Sequence, residues 1–207
     1  QWRKDSIGWC YLGSDGAMLT NCWLQDSKGW CFLGADGAME TNTFVRDSKG
    51  MAYVDAGGYY YEINGWKQVD GAWYFLEKGY RVESSWRKDS KGWCWLTASG
   101  AMATNQWVKD SKGWCYIGDN GYCETECWKQ DSYGWLYLDE EGSMTKNAWV
   151  QDGGKWYYCD GNGYMISSCW RKIGGYEYYF HADGHMAANE RIQGYWVDRN
   201  GHYIPGK

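Results

Sequence analysis

Aliphatic side chains are scarce in this chain. Leu, Ile, Val and Phe together number 26 of its 207 residues, a share that is usually typical of disordered chains. There is one proline, Pro205, and no apolar run approaches the roughly 18 residues of a membrane-spanning helix. The net charge of −5 argues against a nucleic-acid partner, because contact with phosphates needs a basic surface.

Aromatic rings and glycine are abundant instead. The chain contains 17 Trp and 19 Tyr, and each such ring buries a large area, so a folded core is available without aliphatic side chains. Its 29 Gly residues supply turns. This composition predicts many short aromatic strands joined by tight turns, and no helices.

A 21-residue repeat organises the sequence. Eight units start on this 21-residue spacing, seven with Trp and one with Phe: Trp2, Trp23, Phe44, Trp86, Trp107, Trp128, Trp149 and Trp170. The remaining unit starts one residue late, at Trp66, and the register recovers by Trp86. Nine units and a degenerate tenth, RIQGYWVDRNGHYIPGK, fill residues 1–207 without a linker, which predicts one repeat module.

Each unit has the pattern of one β-hairpin. In the first, Trp9 to Leu12 form an aromatic strand, the loop Gly13 to Gly16 contains an Asp-Gly turn signal, and Ala17 to Thr20 return. A second turn, Asp-Ser-Lys-Gly, precedes the strand in units two, three, five and six. Since an isolated hairpin is marginal in water, we predict an all-β solenoid of stacked hairpins.

Strand alternation separates the side chains of each unit into two faces. Counting repeat positions from the first Trp, position 8 is Trp in seven of nine units and position 10 is aromatic in all nine. Positions 8 and 10 therefore share one face, and positions 9 and 11, richer in aliphatics, are expected to form the core. A core role for every ring would not explain two Trp that recur seven residues apart. Paired Trp with a third ring is typical of an aromatic cage for a quaternary ammonium.

These motifs resemble the choline-binding, or cell-wall-binding, repeats of Gram-positive surface proteins and lysins. The resemblance is carried by Trp66 with Trp73-Tyr74-Phe75, by Trp149 with Trp156-Tyr157-Tyr158, and by Gly16-Ala17-Met18. It implies a secreted, cell-wall-associated, non-catalytic module that binds choline or phosphocholine on teichoic or lipoteichoic acid. It also implies sites between successive hairpins, each with two Trp of one repeat, one ring of the next and often a Met.

Carried onto this sequence, the resemblance implies seven cages. Each combines positions 1 and 8 of one unit with the ring at position 10 of the next, and five add a Met. They are Trp2/Trp9/Phe32 with Met18, Trp23/Trp30/Tyr53 with Met39, Trp66/Trp73/Trp95, Trp86/Trp93/Tyr116 with Met102, Trp107/Trp114/Tyr137, Trp128/Trp135/Tyr158 with Met144, and Trp149/Trp156/Tyr179 with Met165.

Two departures from the family pattern affect these cages. Position 9, Tyr in the family, is Cys at Cys10, Cys31, Cys94 and Cys115, and a third ring taken from position 9 would leave those cages open. The series of cages is predicted to be interrupted in unit three, where Phe44 and Met51 replace the Trp pair and Phe75 is the expected third ring. In unit nine Glu177 replaces the second Trp, so the cage there is predicted to be lost unless other rings rebuild it.

The remaining chemistry-bearing residues predict no metal, cofactor or active site. Nine Cys cannot all pair with one another, and their repeated positions favour small buried thiols, with disulfides as the alternative. Cys123 and Cys127 have near-zinc spacing without a second ligand pair, and His181 and His185 flank a turn. Because the chain begins at Gln1, we expect a longer parent polypeptide that carries any hydrolase domain.

Two rival functions and one question of assembly stay open at this point. A glucan- or galactose-binding repeat of the glucosyltransferase or clostridial-toxin type also stacks Tyr-rich hairpins, although sugars favour one stacking ring beside polar groups. A structural adhesin stalk would bind no small ligand. The sequence leaves homodimer formation open.

Overall fold

The computed structural model describes residues 1–111 and 113–206, so Lys112 of the sixth predicted turn and Lys207 of the last predicted unit lie outside it. The described residues form strands joined by turns, which confirms the all-β class. The strands are β1 Trp2–Lys4, β2 Trp9–Tyr11, β3 Cys22–Gln25, β4 Trp30–Leu33, β5 Thr43–Arg46, β6 Met51–Val54, β7 Gly65–Val69, β8 Ala72–Glu77, β9 Tyr80–Arg81, β10 Ser85–Asp89, β11 Gly92–Leu96, β12 Gln106–Lys109, β13 Trp114–Ile117, β14 Cys127–Gln130, β15 Trp135–Leu138, β16 Ala148–Asp152, β17 Lys155–Cys159, β18 Cys169–Ile173, β19 Tyr176–Phe180, β20 Glu190–Ile192, β21 Tyr195–Val197 and β22 Tyr203–Ile204. Within the described residues no helix has the length and apolarity needed to cross a membrane.

Consecutive strands pair as antiparallel hairpins, one in each repeat. In each of the nine full repeats position 1 lies directly opposite position 10, as Trp2 does with Tyr11 and Trp23 with Phe32. Most sheets have two strands; β5–β9 join as one sheet in the order β5-β6-β9-β8-β7, and β20–β22 form another. The prediction of one hairpin per repeat is confirmed, but the predicted pairing is wrong. Trp9–Tyr11 pairs with Trp2–Lys4, and the expected return strand, Ala17 to Thr20, contributes only an isolated bridge between Met18 and Leu12.

By its internal contacts the chain divides into two compact units. One contains Gln1–Thr104 with Asp119–Tyr122, and the other contains Asn105–Gly118 with Cys123–Lys207. Within each unit, the return segment of one repeat hydrogen-bonds to the preceding repeat. The backbone N–H of Met39 donates to the Trp9 carbonyl at 2.7 Å in the first unit, and that of Met165 to Trp135 at 2.7 Å in the second. Each unit is thus a stack of hairpins, as a β-hairpin solenoid requires.

The core lies on the face predicted from strand alternation. Cys31 and Leu33 are fully buried in the first unit, as are Leu136 and Leu138 in the second, and all four occupy positions 9 or 11. None of the nine cysteines, all within the described residues, forms a disulfide. Burial raises the pKa of Cys31 to about 11, so this thiol remains protonated and poorly reactive at neutral pH.

The corner between successive hairpins requires a left-handed residue. Position 20 has φ near 50° in repeat after repeat, and Asn is its commonest occupant: Asn21, Asn42, Asn105, Asn147 and Asn189. Asn adopts this conformation more readily than other residues with a side chain, because its short amide can hydrogen-bond locally. The repeated Asn thereby fixes how each hairpin leads into the next.

Candidate functional site

Two Trp side chains of one hairpin form perpendicular walls. The rings of Trp86 and Trp93 meet at 88° with centroids 6.4 Å apart, and those of Trp149 and Trp156 meet at 88° and 6.3 Å. The position-1 Trp is half-buried, whereas the position-8 Trp stays exposed, with 49% of Trp9 accessible. The structure thus brings positions 1 and 8 together on the face away from the core.

The rings at position 10 support this arrangement from within their own hairpin. Phe32 packs edge-on against Trp23 with centroids 5.3 Å apart, not against Trp2 or Trp9. The other predicted third walls behave alike: Tyr53 contacts Phe44, Trp95 contacts Trp86, Tyr116 contacts Trp107, Tyr137 contacts Trp128, Tyr158 contacts Trp149 and Tyr179 contacts Trp170. The antiparallel register causes this, because it places position 10 directly opposite position 1.

Three of the cavities lined by described residues contain a complete Trp pair. They lie beside Trp2 and Trp9 with about 390 Å³, beside Trp23 and Trp30 with about 400 Å³, and beside Trp128 and Trp135 with about 370 Å³. The described linings of these cavities do not include Phe32, Tyr53 or Tyr158, the rings expected there. The third ring therefore comes from elsewhere.

Tyrosines from later hairpins supply the missing wall. Tyr59 lines the Trp2–Trp9 cavity, Tyr60 and Tyr80 line the Trp23–Trp30 cavity, and Tyr157 lines the Trp128–Trp135 cavity. Tyr157 is at position 9, the alternative that the sequence left open, and its ring lies 5.1 Å from that of Trp128. Tyr59 and Tyr80 directly follow a turn glycine, so we call their place the post-turn position.

The methionine contribution is displaced by one repeat from the expected one. Met39, rather than Met18, lines the Trp2–Trp9 cavity, and Met165, rather than Met144, lines the Trp128–Trp135 cavity. The cause is the hydrogen bond from each of these return segments to the position-8 Trp of the preceding hairpin. Met18 instead packs against Gly37, where a β-carbon would overlap its thioether.

A turn aspartate of the next repeat lines each of the three cavities: Asp26, Asp47 and Asp152. Oδ1 of Asp26 accepts the backbone N–H of Lys28 at 2.8 Å and closes the turn, while Oδ2 accepts the Tyr59 hydroxyl at 3.0 Å. Oδ2 of Asp47 accepts the Tyr80 hydroxyl at 2.9 Å, and Oδ2 of Asp152 accepts the Trp128 indole N–H at 3.1 Å. The turn carboxylate thus fixes the rings of other repeats around the cavity.

These hydrogen bonds keep the carboxylates of Asp26 and Asp47 ionised. The backbone N–H of Lys28 and, more weakly, the Tyr59 hydroxyl lower the pKa of Asp26 from 3.8, although partial burial opposes them. Partial burial also raises the pKa of Asp47, but the Lys49 N–H and the Tyr80 hydroxyl outweigh it and leave the pKa lowered. Burial and Asp26 raise the pKa of Tyr59 to about 12, so its hydroxyl remains a donor. The first two cavities are therefore aromatic and contain an ionised carboxylate, and Lys28 and Lys49 also line them.

The third repeat forms the same hairpin, but a cation of the chain itself lies beside its rings. Phe44 and Tyr74 lie 4.8 Å apart, and the guanidinium of Arg81 lies 5.2 Å from the Phe44 ring and 5.9 Å from that of Tyr74. Glu83 accepts from Arg81 Nε at 2.9 Å. Only 13% of the Arg81 side chain is exposed. The chain thus places its own cation in the third repeat, where the series of cages was predicted to be interrupted.

Comparison with known proteins identifies related repeats and related folds. The model of the cell wall binding repeat family matches residues 64–78, 105–123 and 147–165. Choline binding protein F of Streptococcus pneumoniae is 27% identical with a TM-score of 0.65, over 95% of this chain and 75% of that one. The chain belongs to the choline-binding, or cell-wall-binding, repeat family.

Two further pneumococcal structures have the same fold. The choline-binding domain of CbpL is 27% identical with a TM-score of 0.54, over 100% of this chain and 97% of that one. The modular autolysin LytC, at 24% identity and a TM-score of 0.69, shares the fold over 98% of this chain. The chain spans 46% of that autolysin's length. No curated protein matches it significantly.

In the three described Trp-pair cavities a ring comes from one of two adjacent positions, the post-turn position for Tyr59 and Tyr80 or position 9 for Tyr157. The post-turn residue forms a β-bridge with position 9 of the preceding repeat, so the two side chains are neighbours. In four repeats position 9 is small or aliphatic and its bridge partner is Tyr: Cys31 with Tyr59, Ala52 with Tyr80, Cys94 with Tyr122, and Leu136 with Tyr164. The first repeat differs, because Cys10 bridges Ala38. Where position 9 is Tyr74, the partner is Ala101. Tyr59 and Tyr80 were not predicted as third rings of these cavities, although the coincidence of a post-turn Tyr with a small residue at position 9 was a usable signal.

The other predicted Trp pairs retain parts of the same arrangement. Oδ2 of Asp89 accepts both the Trp66 indole N–H at 3.2 Å and the Tyr122 hydroxyl at 2.8 Å, which gathers these groups near the Trp66–Trp73 hairpin. Beyond Trp107 and Trp114, Oδ2 of Asp131 accepts the Tyr164 hydroxyl at 2.9 Å. Tyr178, at position 9, lies 4.9 Å from Trp149.

The pair Trp86 and Trp93 belongs to the first compact unit, as does Met102, whereas Tyr116 belongs to the second. Their grouping as one cage remains a prediction. Met102 packs against Gly121 and its backbone N–H donates to the Trp73 carbonyl at 2.7 Å. Its contact is thus with the hairpin that precedes its own, as for the other methionines.

A cation from position 3 flanks some of the Trp pairs. Position 3 lies opposite position 8, and the ammonium of Lys4 lies 5.8 Å from the Trp9 ring; Lys88 and Lys109 lie 5.6 Å from Trp93 and Trp114. The same position is Gln25 beside Trp30 and Gln130 beside Trp135. The Trp pairs therefore differ in local charge although their rings match.

Proposed function

We propose that this chain is a non-catalytic module that anchors its parent protein to a bacterial cell wall by binding choline on teichoic or lipoteichoic acid. The observation that carries the proposal is the cavity of Trp2, Trp9 and Tyr59 with the ionised Asp26 in its wall. Its relatives by fold include proteins whose names describe choline binding. A secreted, surface-attached location follows from that ligand.

The chemistry of the cavity favours a quaternary ammonium. Such a cation is weakly hydrated and has no N–H, so ring faces and a nearby carboxylate are the groups that stabilise it. In the first cavity the Tyr59 hydroxyl is already committed to Asp26 at 3.0 Å. In the Trp128–Trp135 cavity the Trp128 indole N–H is committed to Asp152 at 3.1 Å. These polar groups hold the cavity in shape and are not directed at sugar hydroxyls, which argues for choline over a glucan or galactose ligand.

Repetition makes a weak site useful. A desolvated cation–π contact contributes about 1–2 kcal/mol, so a few ring walls correspond to a dissociation constant in the millimolar range. Several cages on one chain that engage a polymer with many cholines gain roughly 10²–10⁴ in avidity. The repeat architecture therefore suits retention on a polymer better than capture of free choline.

The acidic groups of the cages serve structure and binding rather than catalysis. Oδ1 of Asp26 and of Asp47 each close a turn, and Oδ2 of each orients a tyrosine. Among the described residues no group of three or more His, Cys, Asp or Glu could hold a metal ion. We therefore propose that any hydrolase activity belongs to another part of the parent polypeptide.

Choline titration with two readouts tests the proposal. We expect Trp fluorescence to change and the melting temperature to rise at millimolar choline, since a ligand of the native state stabilises it. The protein should also bind a tertiary-amine resin and elute with free choline. The Trp9→Ala and Tyr59→Ala variants should each weaken binding at their cage, while Tyr61→Ala, at a 47% exposed tyrosine outside the described cavities, should not.

Two outcomes would contradict it. Retention on an α-glucan or galactose polymer without any response to choline would favour the sugar-binding reading. No response to choline at tens of millimolar, and no retention on either matrix, would leave a structural stalk.

A further inference from the structure

The ninth repeat builds a cavity with a composition of its own. Trp170, Glu177, Tyr195 and Tyr203 line about 270 Å³. The ring of Trp170 lies 6.2 Å from that of Tyr195 at 89° and 5.8 Å from that of Tyr203 at 74°. The two tyrosine rings lie 5.5 Å apart at 86°. Three mutually perpendicular rings therefore surround this space, and the cage that was predicted to fade is rebuilt by the degenerate tenth unit.

The position-8 Trp is replaced here by a carboxylate. Each of the three described Trp-pair cavities includes the turn aspartate of the next repeat, and Gly194 occupies the corresponding place after unit nine. Glu177, at the position of the second Trp, supplies a carboxylate to this cavity instead. The cavity thus keeps three rings and one acidic group but holds the acid in a different place.

The Glu177 carboxylate is available to a ligand. Asp26 and Asp47 use both oxygens on turn N–H groups and tyrosine hydroxyls, whereas Glu177 has no hydrogen-bond or ion-pair partner among the described residues. Its cross-strand neighbour is Lys172, which forms no ion pair with it within the described part of the chain. A carboxylate of this kind in an open, ring-lined cavity can accept a charge-assisted hydrogen bond from an N–H cation.

From this geometry we propose that the Trp170–Glu177 cavity binds a protonated alkylamine with at least one N–H, in preference to a quaternary ammonium. The inference rests on the proposed function, because it assumes that the ring-lined cavities of this chain are cation sites. A quaternary ammonium presents only methyl groups to Glu177. A protonated primary, secondary or tertiary amine presents its charge to the same rings and also donates to the carboxylate. The module therefore binds two classes of ammonium, and the site for amines with an N–H lies at its C-terminal end.

A titration that resolves individual Trp indoles tests this preference. The intact chain, labelled with ¹⁵N, is titrated at neutral pH with ethanolamine, N,N-dimethylethanolamine and choline, and the indole N–H signals are assigned with the Trp170→Phe and Trp30→Phe variants. We expect the Trp170 signal to respond to dimethylethanolamine at about tenfold lower concentration than to choline, the ratio that one charge-assisted hydrogen bond supplies. The Trp30 signal should respond to choline at least as strongly as to dimethylethanolamine.

Two variants separate the carboxylate from the rings. Glu177→Gln should reduce the tenfold preference at Trp170 to about twofold or less, since a neutral amide accepts more weakly. Glu177→Trp restores the residue found at position 8 in seven other repeats and should reverse the preference toward choline. Thermal unfolding with and without ligand checks that both variants are folded.

The outcomes distinguish this inference from the proposed function. A Trp170 signal that prefers choline, or that ignores every amine while Trp30 responds to choline, would overturn the inference alone. A silent Trp30 in choline beside a Trp170 that responds to dimethylethanolamine would overturn the proposed function alone. Silence of both signals toward all three ligands would overturn both.

Discussion

Two neighbouring repeats of the first compact unit show how the same hairpin gives an open cage or a filled one. Beside Trp23 and Trp30 a cavity of about 400 Å³ is lined by Tyr60 and Tyr80. One repeat later Phe44 and Met51 stand at the corresponding positions, and Arg81 lies over the rings of Phe44 and Tyr74. The backbone pairing is the same, with position 1 opposite position 10 in both.

The difference lies in which side chain follows the post-turn residue. In the open case this residue is Tyr60, a wall of the cage, and in the filled case it is Arg81, a cation held by Glu83 at 2.9 Å. A guanidinium and a quaternary ammonium are both attracted to ring faces. In the third repeat the guanidinium of Arg81 therefore takes the place beside the rings that a ligand cation would otherwise occupy. The capacity of a repeat to bind a ligand therefore depends on one side chain of the following hairpin as well as on the Trp pair.

Conversion of the filled repeat into an open one should give the largest effect. The triple variant Phe44→Trp, Met51→Trp and Arg81→Met restores the Trp pair and removes the internal cation. We expect one additional millimolar choline site, because three walls are then available. Calorimetric stoichiometry against the unmodified protein is the measurement. The same variant with Arg81→Lys is the control, and an added site there would show that Arg81 does not occupy the cage.

Loss of one wall from the open repeat should be the next largest effect. Trp30→Ala removes a side chain that is 46% exposed, so the fold is retained. We expect about tenfold weaker choline binding at this cage, from the loss of a cation–π contact of about 1–2 kcal/mol. The Trp23 indole signal in a choline titration measures it. Met51→Ala, at the same position of the filled repeat, is the matched control; equal losses in both variants would remove the distinction between them.

Removal of the carboxylate should have a smaller effect. For Asp47→Asn we expect about fourfold weaker binding at the Trp23–Trp30 cage, the Coulomb contribution of one charge about 5 Å away in water. The pKa of Asp47 is lowered from 3.8 in the folded protein, so its attraction is fully present above pH 3.8 and is lost as the pH falls through the lowered value. Choline affinity followed from pH 6 to pH 2 should decrease in the native chain and stay flat in the variant, and a parallel decrease would exclude Asp47 as the cause.

Exchange of the residue at position 3 should give the smallest effect. Gln25 lies opposite Trp30, whereas Arg46 lies opposite Met51. For Gln25→Lys we expect about threefold weaker choline binding, since a like charge about 6 Å away costs about 0.7 kcal/mol in water. Lys4→Gln should strengthen binding at the Trp2–Trp9 cage by a similar factor. Both effects should shrink in high salt, and salt-independent changes would indicate altered packing instead.

Much of this molecule follows from its sequence. The 21-residue period, the Asp-Gly turns and the alternation of positions 8 to 11 are local features, because each depends on residues within one hairpin. They determine the all-β stack, the buried face that contains Cys31 and Leu33, and the pairing of Trp at positions 1 and 8. The substitutions at Phe44, Met51 and Glu177 also mark from sequence alone where the pattern changes.

The residues that complete each cage depend on contacts between repeats, which the sequence pattern does not reveal. The third ring, the methionine and the carboxylate come from neighbouring repeats, and their contacts span large separations, such as the 33 residues between Asp26 and Tyr59. A one-repeat displacement leaves the sequence pattern of a perfect repeat unchanged, so Met18 and Met39 cannot be told apart from sequence as partners of Trp9. The hydrogen bond from Met39 to the Trp9 carbonyl sets that displacement. The physical reason is that strand pairing within a hairpin is fixed by its own turn, whereas contact between hairpins depends on the rotation and rise of the stack.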